Sequence, residues 1–310
     1  MKIVFFGSDD FAEEHLQSLF DSPDDVVACV TQPDRPKGRG MAVMGSPVKA
    51  SAQKQGVPVL QPSSLKQDHF INGLKRLQSD IFVVIAYGRF FPREVLDIPP
   101  LGAINVHASL LPKYRGAAPI HWAIINGEKA TGLSIIQIND QIDAGDILAA
   151  SPVKIDENET AVTLRAKMKK EGPRLLAKTL KALAQGECRA TAQDHKQATF
   201  APKLTKAVGN IQWKKRAEEI FNLVRGLLPW PGAYTHYKGR LLKILEAQRV
   251  EGDEGDHQPG TVVSVHKAGI TVATGSKKLL ITKVHLQDAK PIDAYSFVVG
   301  HQLEAGYKFE

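Results

Sequence analysis

The sequence predicts an α/β protein built from a doubly wound, mostly parallel sheet and a smaller antiparallel β-domain. In the first half, short apolar segments alternate with amphipathic ones, which is typical of strands and helices that follow one another in a parallel sheet. In the last third, short apolar segments are broken by glycine, proline and polar turns, which favours antiparallel strands. The length of 310 residues suits two domains.

Five apolar segments in the first half are interpreted as strands of one sheet: Lys2–Phe6, Val26–Val30, Val57–Leu60, Ile81–Ala86 and Ala103–Val106. Helical patterns lie between them, at Phe11–Phe20, Pro47–Gln55 and Leu65–Leu77. Strands that are apolar on both faces fit a parallel sheet covered by helices on each side. This arrangement predicts a Rossmann-like domain whose ligand crevice lies at the carboxyl ends of the strands.

The pattern changes after these segments. Thr131–Ile138 and Ile147–Ile155 predict a hairpin added to the sheet, and Glu159–Ala184 has the apolar stripe of a long helix. A polar stretch with weak periodicity follows, and the short strands beyond it favour an OB-like β-barrel. We therefore expect a first domain at residues 1–188, a linker at 189–208 and a C-terminal barrel at 209–310.

The composition excludes several classes of protein. Hydrophobic residues make up 43% and charged residues 24% of the chain, which are ordinary values for a folded globular protein. No apolar run approaches the roughly 18 residues of a membrane span, and no signal-peptide pattern is visible. Two distant cysteines, Cys29 and Cys188, suit a reducing compartment. We expect a cytoplasmic monomer with no membrane partner.

Common cofactor and metal motifs are missing from the sequence. Gly7 follows the first strand, but the other two glycines of the dinucleotide-binding G-x-G-x-x-G pattern are not there, so no NAD cofactor is expected. An acidic turn carries Asp140, Asp143 and Asp146. Acidic residues are normal in turns, and no histidine or cysteine is clustered with these, so we expect no metal.

Asn105 and His107 are the first candidates for chemistry. Side chains two residues apart in a strand share a face, so both can converge on one point at the carboxyl end of the fifth strand. A carboxamide beside an imidazole offers a neutral and a cationic donor to a developing oxyanion, which acyl transfer requires. The alternative is that His107 is a hydrogen-bonded structural residue.

A longer set of motifs resembles one family. Asn105–Pro112, the following Arg115-Gly116-Ala117-Ala118-Pro119 and the downstream Asp143-Ala144-Gly145-Asp146 resemble the signature of the folate-dependent formyltransferases. The resemblance extends along the chain to Thr31–Gly40, Ser46–Lys49, Leu60–Pro62, Ala86–Gly88, Pro202–Thr205 and Pro229–Ala233. It is strongest to the members that act on initiator tRNA. The sequence departs from the family pattern at Ser8-Asp9 and at Ala108.

The resemblance implies transfer of a formyl group from 10-formyltetrahydrofolate, the donor substrate, to the α-amino group of methionine on initiator tRNA, a step of translation initiation. An amine is already a nucleophile when neutral, so no covalent enzyme intermediate is needed. Asn105 and His107 would stabilise the tetrahedral oxyanion. Asp143 would reach His107 and orient its ring. The folate pocket would be lined by Ser109, Leu110, Leu111 and Pro112, and by the backbone around Ala86, Tyr87 and Gly88.

Basic residues are candidates for tRNA contacts. From Lys203 onward the chain has 16 basic and 11 acidic residues, so the last third carries most of the net charge of +7. By family resemblance, Arg39 enters the acceptor end of the tRNA, with Arg35 and Lys37 as helpers in a mobile basic loop. We expect Lys203, Lys206 and Lys214 to contact the tRNA backbone.

Three hypotheses about the function therefore remain open from the sequence. The first is the tRNA-directed formyltransferase. The second is a sugar-nucleotide N-formyltransferase, which would share Asn105, His107 and Asp143 but would not need the basic loop. The third is an RNA-binding protein whose α/β domain is catalytically silent, in which case the basic loop and barrel would be the functional surface.

Overall fold

The structure, a computed structural model, describes residues 1–37, 42–250 and 257–310. Its internal contacts divide the chain into two compact units. The first unit comprises residues 1–116, 132–153 and 166–200, and the second comprises residues 117–131, 154–165 and 201–310. Arg39 and the acidic stretch at 251–256 lie outside the described residues.

The strands, in chain order, are β1 (Lys2–Gly7), β2 (Asp25–Val30), β3 (Arg35–Lys37), β4 (Ala42–Met44), β5 (Val59–Leu60), β6 (Ile81–Ile85), β7 (Ala103–His107), β8 (Ala130–Gln137), β9 (Ile147–Lys154), β10 (Ala233–Tyr237), β11 (Arg240–Val250), β12 (Val262–His266), β13 (Gly269–Ala273), β14 (Lys278–Leu286) and β15 (Ile292–Asp293).

The α-helices, in chain order, are α1 (Asp10–Phe20), α2 (Pro47–Lys54), α3 (Asp68–Arg76), α4 (Arg93–Leu96), α5 (Pro119–Ile125), α6 (Ala161–Ala184), α7 (Ala217–Gly226) and α8 (Ala294–His301). Two short 3₁₀ turns, at His195–Gln197 and Lys206–Gly209, interrupt the stretch predicted as a polar linker.

A seven-stranded sheet has the order β5-β2-β1-β6-β7-β8-β9. The pairs β1–β2, β1–β6, β6–β7 and β2–β5 are parallel, and β8 runs antiparallel to β7. The doubly wound, mostly parallel sheet predicted from the sequence is therefore confirmed, and β8 and β9 are the added hairpin. The strand order reverses at β1. Because β1, β6 and β7 run parallel, their carboxyl ends lie at the same edge of the sheet.

Local sequence explains where the first helices begin. Asp9 accepts a hydrogen bond from the amide of Ala12 at the start of α1, and Ser46 accepts one from Lys49 at the start of α2. Short oxygen-bearing side chains at this position satisfy amides that have no partner inside the helix. The family departure at Ser8-Asp9 thus supplies a helix cap, and the Ser8 hydroxyl accepts from the Gln32 amide at 3.2 Å.

Aromatic rings fill one side of the first unit's sheet. Phe6 contacts Phe82, Tyr87 and Phe91 with ring centroids 5.0 to 5.5 Å apart. Every residue of β6 is buried, which is why its sequence is a continuous apolar run rather than an alternating one. The inward Tyr87 ring anchors the loop that follows β6.

The second unit contains an antiparallel sheet in the order β10-β11-β14-β13-β12, with β15 paired to β14. Its core includes Trp213, Phe221 and Phe297. The predicted antiparallel domain is confirmed, but strand pairing does not close it into a barrel among the described residues. Instead, the C-terminal residues lie along both edges: the Val262 amide donates to Tyr307, and the His236 amide donates to Glu310.

Helices α4, α5 and α8 were not anticipated from the sequence. Helix α5 begins at Pro119 inside the family motif, and α8 follows the short strand β15. In the second unit α5 packs against α7 at Gly226, where a Cβ would lie 2.7 Å from the Ile125 side chain. The absence of a side chain at Gly226 allows this close approach.

No helix in the described part of the chain is long and apolar enough to cross a membrane.

His15 is a fully buried histidine whose surroundings favour the neutral ring. Its Nδ1 bonds the Phe11 carbonyl at 2.8 Å, and its Nε2 has no hydrogen-bond partner among the described residues. Nε2 faces Gly172, where a Cβ would lie only 2.1 Å away. Burial lowers the pKa of His15 to about 4, below its ordinary value of 6.5.

We expect His15 to make the protein less stable in mild acid. Below pH 6.5 the unfolded chain binds a proton on this ring while the folded protein does not, so stability falls as the pH drops towards 4. By pH 5 the loss is on the order of 1–2 kcal/mol in the free energy of unfolding. Urea unfolding at pH 7.5 and 5.0 should show this loss in the unsubstituted protein and not in His15→Gln.

The control is His69→Gln, because His69 is an exposed histidine. It should keep the pH dependence of the unsubstituted protein. Equal pH dependence in His15→Gln and the unsubstituted protein would contradict the assignment of His15 as a buried neutral ring.

Candidate active site

Strand β7 places Asn105 and His107 on the same face, as the two-residue period of a strand requires. Asn105 is paired opposite Ile136 of β8, and His107 is paired opposite Ser134. Asn105 is half-buried, whereas the His107 side chain is only 6% exposed. A nearly enclosed imidazole with a more open carboxamide beside it therefore lies near the carboxyl end of a central strand.

A tight turn after β8 brings Asp143 over this face. Asp143 has a φ of +49°, in the left-handed region that non-glycine residues seldom adopt. Gly145 follows, and a Cβ there would lie 1.7 Å from the Gln137 carbonyl oxygen. The turn therefore passes so close to the end of β8 that only glycine fits at this position.

The Asp143 carboxylate is the meeting point of three groups. Its Oδ2 accepts from the Gly116 amide at 2.8 Å and lies 3.5 Å from His107 Nδ1. Its Oδ1 lies 3.4 Å from Asn105 Nδ2, a long hydrogen bond. The Asp143 side chain is 16% exposed. A backbone amide, an imidazole and a carboxamide thus all contact this one carboxylate.

The second nitrogen of His107 is also engaged. Nε2 lies 2.9 Å from the carbonyl oxygen of Tyr114, and a carbonyl only accepts, so Nε2 carries a proton. Nδ1 faces the Asp143 carboxylate at 3.5 Å. In this conformation neither ring nitrogen faces open space, and donation to a substrate oxygen requires exchange of the Tyr114 contact.

The structure thus brings together the three residues that the sequence suggested for catalysis. The second N–H of the Asn105 carboxamide and an N–H of the His107 ring can both donate to a nearby oxygen on which negative charge develops. Asp143 holds both side chains by direct contact. The arrangement is suited to a reaction that passes through an oxyanion.

The residues suggested for the folate wall differ in exposure. Ser109 and Leu111 are buried, and the Ser109 hydroxyl donates to the Lys113 carbonyl at 2.6 Å. Leu110 packs closely on Gly132, where a Cβ would lie 2.5 Å from its Cδ2. Leu110 and Pro112 are half-buried. The Ser109 side chain thus shapes the turn, and Leu110 and Pro112 are the more accessible members.

The loop after β6 exposes its backbone. Ala86 and Gly88 are exposed with φ values of +48° and +73°, while the Tyr87 side chain is buried. Burial raises the pKa of the Tyr87 hydroxyl, which has no partner among the described residues. Because β6 and β7 are parallel neighbours, this loop and His107 lie at the same edge of the sheet.

The basic segment begins as a two-stranded ribbon. Strand β3, which contains Arg35 and Lys37, pairs antiparallel with β4. The segment predicted as a mobile loop is thus strand-paired at its base, and Arg35 is exposed there. Of the predicted tRNA-binding residues, Arg39 and the side chain of Lys37 lie outside what the structure describes.

Polar contacts join the two ends of this segment. Lys49 Nζ lies 2.5 Å from Asp34 Oδ2, and Gln61 Nε2 donates to Asp34 Oδ1 at 2.7 Å. The Lys49 contact holds the pKa of Asp34 below its usual range. The Thr31 and Ser46 hydroxyls lie 2.7 Å apart and join the same two chain segments. These contacts therefore hold together the two chain segments that lead into and out of the β3–β4 ribbon.

In the second unit, the three lysines proposed for RNA contacts are all exposed. These residues are Lys203, Lys206 and Lys214. Among the described residues, no group of three or more His, Cys, Asp or Glu side chains is arranged to hold a metal ion.

Two residues near the site were missed by the sequence reasoning. Gln193 lies in the stretch predicted as a polar linker, yet its amide bonds the backbone of the Asp143 turn. Arg115 was recognised only as part of a motif, and its buried guanidinium bonds Gln193. A lone glutamine in a polar stretch carries no local signal, since its partner is 50 residues away.

Comparison with protein families matches both parts of the chain. The model described as "Formyl transferase" matches residues 1–180, and the one described as "Formyl transferase, C-terminal domain" matches residues 203–302. The chain belongs to the formyl transferase family.

Relatives in this family are similar over the whole chain. A protein of Caldanaerobacter subterraneus subsp. tengcongensis named methionyl-tRNA formyltransferase is 45% identical over 99% of this chain and 99% of its own length. One of the same name from Acetivibrio thermocellus is 43% identical over 99% and 98%. The structure of an N-formyltransferase from Helicobacter canadensis, solved with folinic acid and dTDP-3-aminofucose, is 16% identical, covers 91% of this chain and 98% of that one, and has a TM-score of 0.66. This last likeness concerns the fold.

We expect Gly145→Ala to loosen the Asp143 turn. The added Cβ would overlap the Gln137 carbonyl, and overpacking of this kind costs roughly 1–3 kcal/mol. The Gly116 amide, which donates to Asp143, should then exchange with solvent deuterium about tenfold faster or more. Hydrogen exchange resolved at Gly116 measures this effect.

Gly73→Ala is the matched control, because a Cβ at this helical glycine would meet nothing within 4 Å. It should leave exchange at Gly116 unchanged. Unaltered exchange in Gly145→Ala would contradict the close packing of the turn.

Proposed function

We propose that the protein transfers the formyl group of 10-formyltetrahydrofolate to the α-amino group of methionine carried by initiator tRNA, giving N-formylmethionyl-tRNA for translation initiation. The observation that carries this proposal is the full-length similarity, above 40% identity, to proteins named methionyl-tRNA formyltransferase. The grouping of Asn105, His107 and Asp143 supports it, because formyl transfer to an amine passes through a tetrahedral oxyanion.

The chemistry assigned to the site is direct attack. The neutral amine adds to the formyl carbon, and the carbonyl electron pair moves to oxygen, where Asn105 Nδ2 and the His107 ring stabilise the charge. The bond from the formyl carbon to N10 of the folate then breaks. N10 takes up a proton, and the attacking nitrogen releases one, so the charges balance across the step. A water molecule relays the proton between the two nitrogens.

Asp143 acts on this step through His107. Its carboxylate lies 3.5 Å from Nδ1 and orients the ring towards the oxygen on which the negative charge develops. The Gly116 amide holds the same carboxylate from the other side at 2.8 Å. For the reaction, the Nε2–H of His107 would leave the Tyr114 carbonyl and donate to the substrate oxygen instead.

The formyl donor is assigned to the edge of the sheet next to β7. The exposed backbone of Ala86 and Gly88 offers hydrogen-bonding groups to the pterin ring, with Tyr87 anchoring the loop from within. Leu110 and Pro112 provide an apolar wall, and Ser109 and Leu111 support it from beneath. The folate is a substrate in this proposal, and neither a metal nor NAD takes part.

The tRNA is assigned to two basic regions. Arg35 and Lys37 of β3, together with Arg39 further along the sequence, are assigned to the acceptor end, and the Asp34–Lys49 ion pair fixes the base of the ribbon. The exposed Lys203, Lys206 and Lys214 neutralise phosphates. We assign residues 1–188 to the catalytic domain, 189–208 to the linker and 209–310 to tRNA binding, and we place the monomeric enzyme in the cytoplasm.

A comparison of two acceptors tests the proposal. The purified protein is given 10-formyltetrahydrofolate with charged initiator methionyl-tRNA and, separately, with an amino-sugar nucleotide, at two salt concentrations. We expect formylation of the tRNA, with kcat/KM falling as salt rises because phosphate contacts release counterions. Asn105→Ala is the control for the site, and its kcat should be lower by about 10²-fold or more.

Transfer to the sugar nucleotide alone would contradict the tRNA assignment while preserving the chemistry of the site. Tight tRNA binding without transfer to either acceptor would contradict the enzymatic function.

A further inference from the structure

Gln193 connects two segments that carry the proposed active site. Its Nε2 donates to the carbonyl oxygens of Asp143 at 2.9 Å and of Gly145 at 2.7 Å, so one amide joins two carbonyls of the acidic turn. Its Oε1 accepts from Arg115, at 2.7 Å from Nη2 and 3.1 Å from Nε. Gln193 and Arg115 are each only 6% exposed.

The partners fix the orientation of the Gln193 amide. The guanidinium of Arg115 only donates and the two backbone carbonyls only accept, so Oε1 must face Arg115 and Nε2 must face the turn. A rotation of the amide by 180° would place like groups against each other on both sides. Because water has little access, the cost of such a rotation is high, and the bridge has one stable arrangement.

Arg115, the partner of the Gln193 Oε1 atom, belongs to the segment that contacts His107. Tyr114, whose carbonyl bonds His107 Nε2, and Gly116, whose amide bonds Asp143, flank Arg115 directly. This segment is itself fixed by Thr199, which bonds the Tyr114 amide through its hydroxyl and the Arg115 amide through its carbonyl, both at 2.9 Å. Gln193 and Thr199 therefore brace both sides of the Asp143–His107 contact.

Asp143 needs such a brace for two reasons. Its backbone lies in the left-handed region at φ +49°, which a non-glycine residue keeps only when its surroundings enforce it. Its contacts with Asn105 and His107 are long, at 3.4 and 3.5 Å, so a shift of a few tenths of an ångström decides whether the carboxylate engages them. The Gln193 bonds act on the backbone of this same residue.

We propose that Gln193, oriented by Arg115, is a positioning residue for formyl transfer: it holds the Asp143 turn so that the carboxylate faces His107 and Asn105. The inference rests on the proposed function, since its readout is the rate of formyl transfer. Gln193 touches no reacting atom, and its effect on the reaction passes through Asp143.

Two substitutions of Gln193 test its hydrogen bonds to Arg115 and to the Asp143 turn. Gln193→Met fills a similar volume without hydrogen-bonding groups, and Gln193→Glu keeps an acceptor for Arg115 but presents a carboxylate to two carbonyls. Both should lower kcat by about 10- to 100-fold, the scale expected when catalytic groups are displaced by an ångström or less. KM for folate and for methionyl-tRNA should change by less than about twofold, because the Gln193 side chain is buried beneath the turn and only 6% exposed.

Gln197→Met is the matched control. Gln197 lies in the same segment, is exposed, and donates its side-chain amide to Asp194. It should retain the kcat of the unsubstituted enzyme. Circular dichroism and thermal melting of every variant report the folded fraction, to which the rates are normalised.

A cycle with Asp143 distinguishes positioning from general structural damage. In an Asp143→Asn background the carboxylate is already lost, so adding Gln193→Met should lower the single-turnover rate by less than about twofold. A damaged fold would lower the rate by the same factor in both backgrounds.

Normal kcat in both Gln193 variants, or an equal decrease in both backgrounds, would overturn the inference while the unsubstituted enzyme remains active on methionyl-tRNA. An unsubstituted enzyme that does not formylate methionyl-tRNA would overturn the proposed function, and the inference with it.

Discussion

The half-buried carboxylate of Asp143 is the constraint around which the site is arranged. A charge with this little solvent access is stable only if donors surround it. The Gly116 amide, the His107 ring and the Asn105 carboxamide approach it from β7 and from the connection that follows β7. The same contacts orient Asn105 and His107, the two side chains that are assigned to the oxyanion. The hydrogen bonds that stabilise the carboxylate therefore also place these side chains for the reaction.

The fold meets this requirement with two irregular backbone segments on a regular sheet. Strand β7 fixes where Asn105 and His107 point, but it cannot supply Asp143, which comes from a turn beyond the antiparallel strand β8. The turn needs a left-handed residue at Asp143 and a side-chain-free residue at Gly145. Rigid strands that carry strained connections at their edge are a common way to build catalytic sites.

Sequence alone predicted the parts that depend on local pattern. The buried strand β6 is a continuous apolar run, and the period of a strand places Asn105 and His107 on one face. The missed parts depend on distant contacts. Nothing near Gln193 indicates that it bonds a turn 50 residues earlier, and the use of His107 Nε2 by the Tyr114 carbonyl follows from a backbone conformation that side-chain patterns do not encode.

A double-mutant cycle tests most directly whether Asp143 acts on the reaction through His107. Single-turnover rates of formyl transfer would be measured for His107→Ala, Asp143→Asn and the double variant. If the carboxylate acts through the ring, the double variant is slower than the slower single variant by no more than about threefold. If the two decreases multiply instead, the residues act independently, and the contact between them at 3.5 Å does not carry the catalytic effect.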